Sequence, residues 1–372
     1  MLKTFINFFS SFREILKLKK LKPKFIFFSE GKSYQKYSLI LVETITEIYK
    51  DTIYYVSIDQ KDKLNLTNVK NIYLSNKHLI QFFFKNIAAS NIFLTTTDLG
   101  NNEIKKNSKV NNYIYYFHSP VSTTKNYTPK AFDNYDTILC NGQFQKNEIQ
   151  LRENLKKLKP KNLVNSGYLY YDYLLKNINF NTNKENILVA PSWNYALKNF
   201  INENFIEIID ILINQDQKVI FRPHPEHYKR SQKILNLIKK KFNHKNFYFD
   251  ESPENIYAME NSKCLITDSS GIAIEFMLVL KRPVLYFDDV DKVHNSDFKD
   301  YDKIKKIDNE IKNNFGYVFN KQNLKNLNLI IENSFTEFEK KKLKLNSFTE
   351  ENFDNFGKTK IFLKKNLITI LN

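Results

Sequence analysis

The stretch Lys263-Cys-Leu-Ile-Thr-Asp-Ser-Ser-Gly-Ile-Ala-Ile-Glu275 runs an apolar β-type segment straight into polar residues and then into a helical pattern. Upstream, Phe221-Arg-Pro-His-Pro225 does the same. A strand that ends in a polar turn and feeds a helix is the unit of a parallel, doubly wound sheet, whose carboxyl-terminal strand ends converge on a ligand crevice. The expected fold is therefore α/β, and the ligand expected at these junctions carries phosphate.

Outward from these junctions the pattern alternates along the chain. Strands are predicted at residues 25–28, 53–58, 72–74, 92–94, 113–117 and 137–140, with Gly31 as a turn and helices at 37–49, 78–87 and 143–155. After the polar stretch 177–186 a second series begins, with strands at 187–190, 218–221, 246–249, 264–267 and 284–287. Helices are predicted between them at about 201–214, 226–242, 253–260 and 270–280, and a helical, Lys-rich tail starts at Lys321. This predicts two doubly wound parallel-sheet, Rossmann-like domains in the GT-B arrangement, bounded at 23–180 and 181–372, behind a basic amphipathic helix at 1–22.

With 42% hydrophobic residues over 372 positions, the chain is not a disordered one. It has no run of about eighteen apolar residues and no apolar leader with a small-residue cleavage site, so it is expected to stay in the cytoplasm and not to span a membrane. The net charge of +17 favours an anionic partner, either a phosphorylated substrate or an acidic membrane face. The basic residues are spread out and no nucleic-acid-binding module is present, so nucleic acid is not an expected partner. Of the 57 basic residues only five are Arg, and Gly occurs seven times, so each Arg and Gly is informative. Cys140 and Cys264 each close an apolar run and read as buried free thiols rather than a disulfide or metal pair.

Residues 1–24 combine Phe5, Ile6, Phe8, Phe9, Phe12, Ile15 and Leu16 with Lys3, Arg13, Lys17, Lys19, Lys20, Lys22 and Lys24. Two readings stand: a helix lying on an anionic bilayer, or one packed on the body of the protein with solvated lysines.

Asp268-Ser269-Ser270-Gly271 falls where strand gives way to helix, so free backbone N–H groups, the positive helix end and two hydroxyls can hold a phosphate. The plain alternative is an ordinary helix cap. Glu275, one turn on, is placed to accept from ribose hydroxyls, or else is a solvated side chain. Arg222 offers a planar fork for phosphate oxygens, and prolines on both sides fix His224. Alternatively Arg222 pairs with a buried carboxylate and His224 caps the next helix. At the tip of the 113–117 strand, a neutral His118 can take a proton from a hydroxyl. Asp288-Asp289-Val-Asp291 could pass for a metal motif, but Asp residues commonly end strands, and no essential metal is expected.

Taken in order, these patches resemble the CDP-glycerol glycerophosphotransferase family, the teichoic-acid primases and polymerases. The resemblance rests on Phe117-His-Ser-Pro120, Gly167-Tyr-Leu-Tyr-Tyr-Asp172, Ala190-Pro-Ser-Trp193, Arg222-Pro-His-Pro225, Thr267-Asp-Ser-Ser270 with Arg282-Pro283, and more weakly Asn355-Phe-Gly-Lys358. It implies a metal-free GT-B transferase on the cytoplasmic membrane face, with 23–180 the acceptor-side domain and 181–372 the donor-nucleotide domain. By it His118 looks like the general base, Arg222, His224, Ser269 and Ser270 look like donor phosphate ligands, and Trp193 lines the donor pocket. The expected partners are a nucleotide-activated donor, CDP-linked by preference and a substrate rather than a cofactor, and a glycan or lipid-linked acceptor. Ser119 departs from the family, which usually has Gly there. The alternatives are a GT-B glycosyltransferase or nucleotide-sugar 2-epimerase and, in another class, a non-catalytic membrane-associated binding protein.

Overall fold

Runs such as Phe25-Ile-Phe-Phe28 and Ile187-Leu-Val189 are buried along their whole length, as strands covered on both faces of a parallel sheet must be. The computed structural model describes residues 2–101 and 103–371, with side chains from Asn7 onward. Seven strands, β1 (Phe25–Ser29), β2 (Ile53–Ser57), β3 (Val69–Tyr73), β4 (Ala89–Leu94), β5 (Val110–Tyr116), β6 (Thr137–Cys140) and β7 (Asn162–Asn165), form one sheet in the order β3-β2-β1-β4-β5-β6-β7. Six more, β8 (Asn186–Val189), β9 (Lys218–Phe221), β10 (Phe247–Phe249), β11 (Ser262–Thr267), β12 (Val284–Phe287) and β13 (Tyr317–Phe319), form a second in the order β10-β9-β8-β11-β12-β13. All pairs are parallel. In each sheet the order reverses once, between β1 and β4 and between β8 and β11, and these reversals are the switch points where doubly wound sheets bind ligands.

The edge strands β7 and β13 and the helix Leu169–Asn177 lie outside the elements expected from the sequence. Edge strands pair on one side only and need no continuous apolar run, which is why Asn-Leu-Val-Asn carries little signal. The helix expected at 226–242 is two, Pro225–Arg230 and Gln232–Lys241, broken at Ser231.

Contacts divide the chain into two units. The first comprises the chain up to His118, Thr128–Tyr173 and the stretch from Asn352; the second comprises Ser119–Tyr127 and Leu174–Glu351. The expected boundary of 181–372 is corrected accordingly, because the end of the chain packs into the first unit. Gly167, at φ +90°, is approached so closely that a Cβ there would lie 2.4 Å from the Asp354 carbonyl oxygen. Asn355 donates its side-chain amide to the carbonyls of Asn165 and Ser166, both at 3.2 Å. Asp172 accepts from the backbone N–H of Thr359 at 3.1 Å and of Lys360 at 2.9 Å, capping the helix Thr359–Leu371, whose Leu363 and Leu367 are buried. Two of the patches behind the family resemblance thus meet each other and hold the tail in place.

The N-terminal helix Leu2–Leu21 packs on the first unit: Ile15 and Leu18 are buried, Phe12 lies 5.0 Å from Phe82, and Ser11 Oγ donates to the Tyr73 carbonyl at 2.6 Å. Its outward side carries Phe9, Arg13, Leu16, Lys17, Lys20 and Leu21. The side chains of Lys3, Phe5 and Ile6, part of the sequence expectation, lie outside the described residues. Both cysteines are buried free thiols.

Two outcomes are expected. Replacing Asp172 by Ala should cost about 1–2 kcal/mol in urea unfolding and speed proteolysis near residues 353–358, because two helix N–H groups lose their acceptor. Ile15→Ala should cost about 2–4 kcal/mol, so deletion of residues 1–22 destabilises the first unit; unchanged unfolding midpoints would show that the helix is dispensable to the fold.

Candidate functional site

At the β8–β11 switch point the two strand ends are stitched together. Ala190 N–H donates to the Ile266 carbonyl at 3.0 Å, and Thr267 Oγ1 donates to the Ala190 carbonyl at 2.6 Å. The next residue, Asp268, is buried, and its Oδ1 accepts from the backbone N–H of both Ser192 and Ser269, each at 2.7 Å. Burial pushes its pKa up; the two N–H groups and the Lys292 ammonium oppose that. Asp268 is thus a brace between two loops and spends its charge on backbone.

The brace sets Ser269 and Ser270 at the mouth of the helix Ile272–Leu280, which no side chain caps. Neither hydroxyl hydrogen-bonds to another group among the described residues, and both line a cavity of about 30 Å³ shared with Lys125, Asp291, Asp308 and Lys312. Gly271 opens this helix, and a Cβ there would fall 2.1 Å from Ser119 Oγ. Ser119, the departure from the family motif, therefore occupies room that only glycine at 271 leaves.

The charges around the cavity were not evident from sequence spacing. Lys125 is buried and donates to Asn309 at 2.7 Å, with Asp291 at 2.8 Å; Lys312 donates to Asp288 at 2.5 Å. Asp308 Oδ2 accepts from Ser122 N–H at 3.0 Å and from Asn126 at 3.2 Å, and burial pushes its pKa up. Asp289 accepts from Asn202 at 3.0 Å and Asn204 at 2.9 Å, so the three acidic residues of the 288–291 stretch face different partners.

Trp193, on the loop after β8, packs its ring against Tyr195 at 4.5 Å and His294 at 4.9 Å, with the Arg230 guanidinium 5.5 Å away. Burial holds His294 and His227 neutral, at pKa values of about 3 and about 4. Such a group of rings with one cation offers faces on which a base can stack.

Arg222 Nη1 pairs with the buried Asp250 carboxylate, whose other oxygen accepts from Ser252 N–H at 2.9 Å. His224 lies at the start of the next helix. Its Nδ1 accepts from Glu226 N–H at 3.2 Å and caps the helix Pro225–Arg230. Glu275 is a correction, being 3% exposed and accepting from Asn255 at 3.3 Å, which places its carboxylate inside the unit rather than toward a ribose. Arg282 is a strut as well, donating through Nη1 to the carbonyls of Met259, Glu260 and Ser262.

In the first unit His118 follows β5 at the carboxyl edge of the sheet. Its ring packs 5.5 Å from Tyr34, in the turn after β1, and 6.0 Å from Tyr37.

No protein-family profile matches the chain, and no curated protein matches it. Solved structures do. The wall teichoic acid polymerase TagF aligns over 100% of this chain and 98% of its own with a TM-score of 0.64 at 16% identity. The Methanocaldococcus jannaschii UDP-GlcNAc 2-epimerase in complex with UDP-GlcNAc and UDP aligns over 93% and 99% with a TM-score of 0.58 at 14% identity. The S. aureus MnaA–UDP structure aligns over 93% and 95% with a TM-score of 0.57, also at 14% identity. Likeness at these identities establishes the fold: two doubly wound parallel sheets of the GT-B class, shared with a teichoic acid polymerase and with 2-epimerases.

Proposed function

We propose that the chain is a transferase that moves a glycerol-phosphate or similar polyol-phosphate unit, or a sugar, from a nucleotide-activated donor, CDP-linked by preference, to a cell-surface glycan acceptor. The observation that carries this reading is the β8–β11 switch point, where an uncapped helix end, two uncommitted serine hydroxyls, the buried Lys125 and the half-buried Lys312 surround one cavity. Full-length likeness to a teichoic acid polymerase supports the same choice.

In this reading His118 takes the proton of the acceptor hydroxyl as its oxygen bonds to the donor, and the bond to the nucleotide phosphate breaks. Negative charge then gathers on the departing nucleotide. Ser269, Ser270 and the N–H at Gly271 meet it, joined by those donors of Arg222 that Asp250 leaves unused and by His224. Trp193 and its neighbouring rings line the nucleoside side. The outward face of the N-terminal helix, mixing Phe9, Leu16 and Leu21 with Arg13, Lys17 and Lys20, suits an anionic membrane surface, and the enzyme works at the inner face of the membrane. Among the described residues no helix is long and apolar enough to cross a membrane.

The deciding experiment incubates the protein with CDP-, UDP- and CMP-activated donors and measures nucleotide release with and without a lipid-linked acceptor. Release stimulated by acceptor supports transfer; inversion of UDP-GlcNAc without release would move the assignment to epimerisation; no turnover of any donor would leave only binding. The paired Ser269→Ala, Ser270→Ala variant should lose about ten- to a hundredfold in donor affinity and turnover. His118→Ala should lose about a hundred- to ten-thousandfold in rate while calorimetry shows nucleotide binding intact, and wild-type turnover in that variant would remove the base assignment.

A further inference from the structure

Within the first unit a cavity of about 230 Å³ opens between the N-terminal helix, strand β3 and the loop after β2. The helix lines it with Asn7, Ser10, Ser11 and Glu14, which share one stripe of its surface. Asp59 and Gln60, just past the carboxyl end of β2, and Tyr73, which ends β3, line it as well. It therefore lies on the carboxyl edge of the sheet, where parallel sheets take ligands and where His118 follows β5. In the order β3-β2-β1-β4-β5, β3 and β5 stand four spacings apart, about 19 Å.

A seam that serves packing alone is closed most favourably by apolar side chains, as Ile15 and Leu18 of the same helix do. Here the stripe is polar, and much of it is unspent. Among the described residues the side chains of Asn7, Ser10, Gln60 and Lys63, all in the cavity wall, make no hydrogen bond. Asp59 accepts from the backbone N–H of Lys61 at 2.9 Å and of Lys32 at 3.2 Å, and Glu14 pairs with Lys17 at 2.7 Å and Lys70 at 2.9 Å. Each of these carboxylates keeps lone pairs for a further donor. Asp62 is different, being 2% exposed and already held by Ser29, Ser57, Tyr55 and Gln35.

Amide and ammonium donors thus stand beside carboxylate and hydroxyl acceptors, the mixture that neighbouring hydroxyls need because each both donates and accepts. Although the chain carries +17, Lys63, Lys17 and Lys70 are matched here by Glu14, Asp59 and Asp62, which leaves no surplus of cations to hold a phosphate. Nor, among the described residues, do three acidic, histidine or cysteine side chains converge on a metal position. We propose that this cavity binds an uncharged hydroxylated unit, a sugar or a polyol, and that during transfer it holds a unit of the acceptor glycan remote from the hydroxyl at His118. The acceptor role rests on the transferase reading above, whereas the sugar binding rests on the cavity alone. A glycan laid along the carboxyl edge spans the distance between the two positions.

Saturation-transfer NMR of the full chain with N-acetylglucosamine, glucose and ribitol, and with glycerol 3-phosphate as the charged control, tests the binding. At least one uncharged probe should respond. The paired Asn7→Ala, Gln60→Ala variant should weaken that response about tenfold through the loss of two hydrogen bonds, and Ser10→Tyr, which fills the cavity, should remove it. Urea unfolding midpoints should stay at the wild-type value, since none of the three side chains is bonded within the fold. With the lipid-linked acceptor, both variants should raise the acceptor KM about tenfold in the nucleotide-release assay.

No response from any uncharged probe, or one undiminished in both variants, overturns the site. A stronger response from glycerol 3-phosphate overturns the ligand class, and lost binding with a lowered unfolding midpoint overturns the site in favour of a structural role. Unchanged acceptor KM overturns the acceptor role and leaves the sugar site standing. Absence of nucleotide release from any donor in wild type overturns the transferase reading and the acceptor role together, and again leaves the sugar site to the NMR result.

Discussion

One carboxylate oxygen of Asp268 accepts two backbone N–H groups, from Ser192 and from Ser269, and the geometry of the second unit's candidate site follows from that pair of bonds. Parallel sheets bring β8 and β11 side by side but leave the loops beyond them unpaired. A buried carboxylate needs donors, and loops at a switch point supply N–H groups with no ladder partner. Each need meets the other. The result fixes the serine pair at the open end of the helix Ile272–Leu280 and holds the Trp193 loop on the neighbouring strand.

The same economy governs the scarce residue types. Four of the five arginines show a partner in the structure: Arg152 with Asp133, Arg222 with Asp250, Arg230 with Glu226, and Arg282 with three carbonyls. In a chain that uses Lys almost everywhere else, arginine persists where a planar, multiply donating group must hold several acceptors at once. Lysine, a point charge on a flexible stem, is the cation that lines the serine cavity, as Lys125 and Lys312 beside three aspartates. Glycine is kept where another chain segment passes too close for a Cβ, as at Gly167 under Asp354 and at Gly271 under Ser119.

Several residues of the patches that carry the family resemblance serve the scaffold. Gly167, Asp172 and Asn355 hold the end of the chain in the first unit, Arg282 ties strand β11 to the preceding helix, and His224 caps its own helix. A motif residue at a strand end has two demands on it, since the loop must be shaped before it can bind anything. Polar side chains close in sequence to unpaired N–H groups satisfy those first. Glu275 shows the opposite limit, where helical spacing gave the position along the helix but the side chain turned inward to Asn255.

Alternation of apolar runs with helical periodicity was enough, by itself, to determine two doubly wound parallel sheets and to place nearly every central strand, because burial on both faces leaves a pattern that no surface element shares. Composition determined the basic charge, and residue types at strand ends marked the Ser269–Ser270 junction. The edge strands β7 and β13, the membership of the tail in the first unit, and the partners of Arg222 and His224 were decided only by tertiary structure. So were Lys125, Lys292 and Asp308, which come from three separated stretches of chain and acquire meaning only when folding removes them from water. A local pattern records what each segment must bury, whereas a charge in a site is defined by which distant groups surround it and how much solvent they exclude.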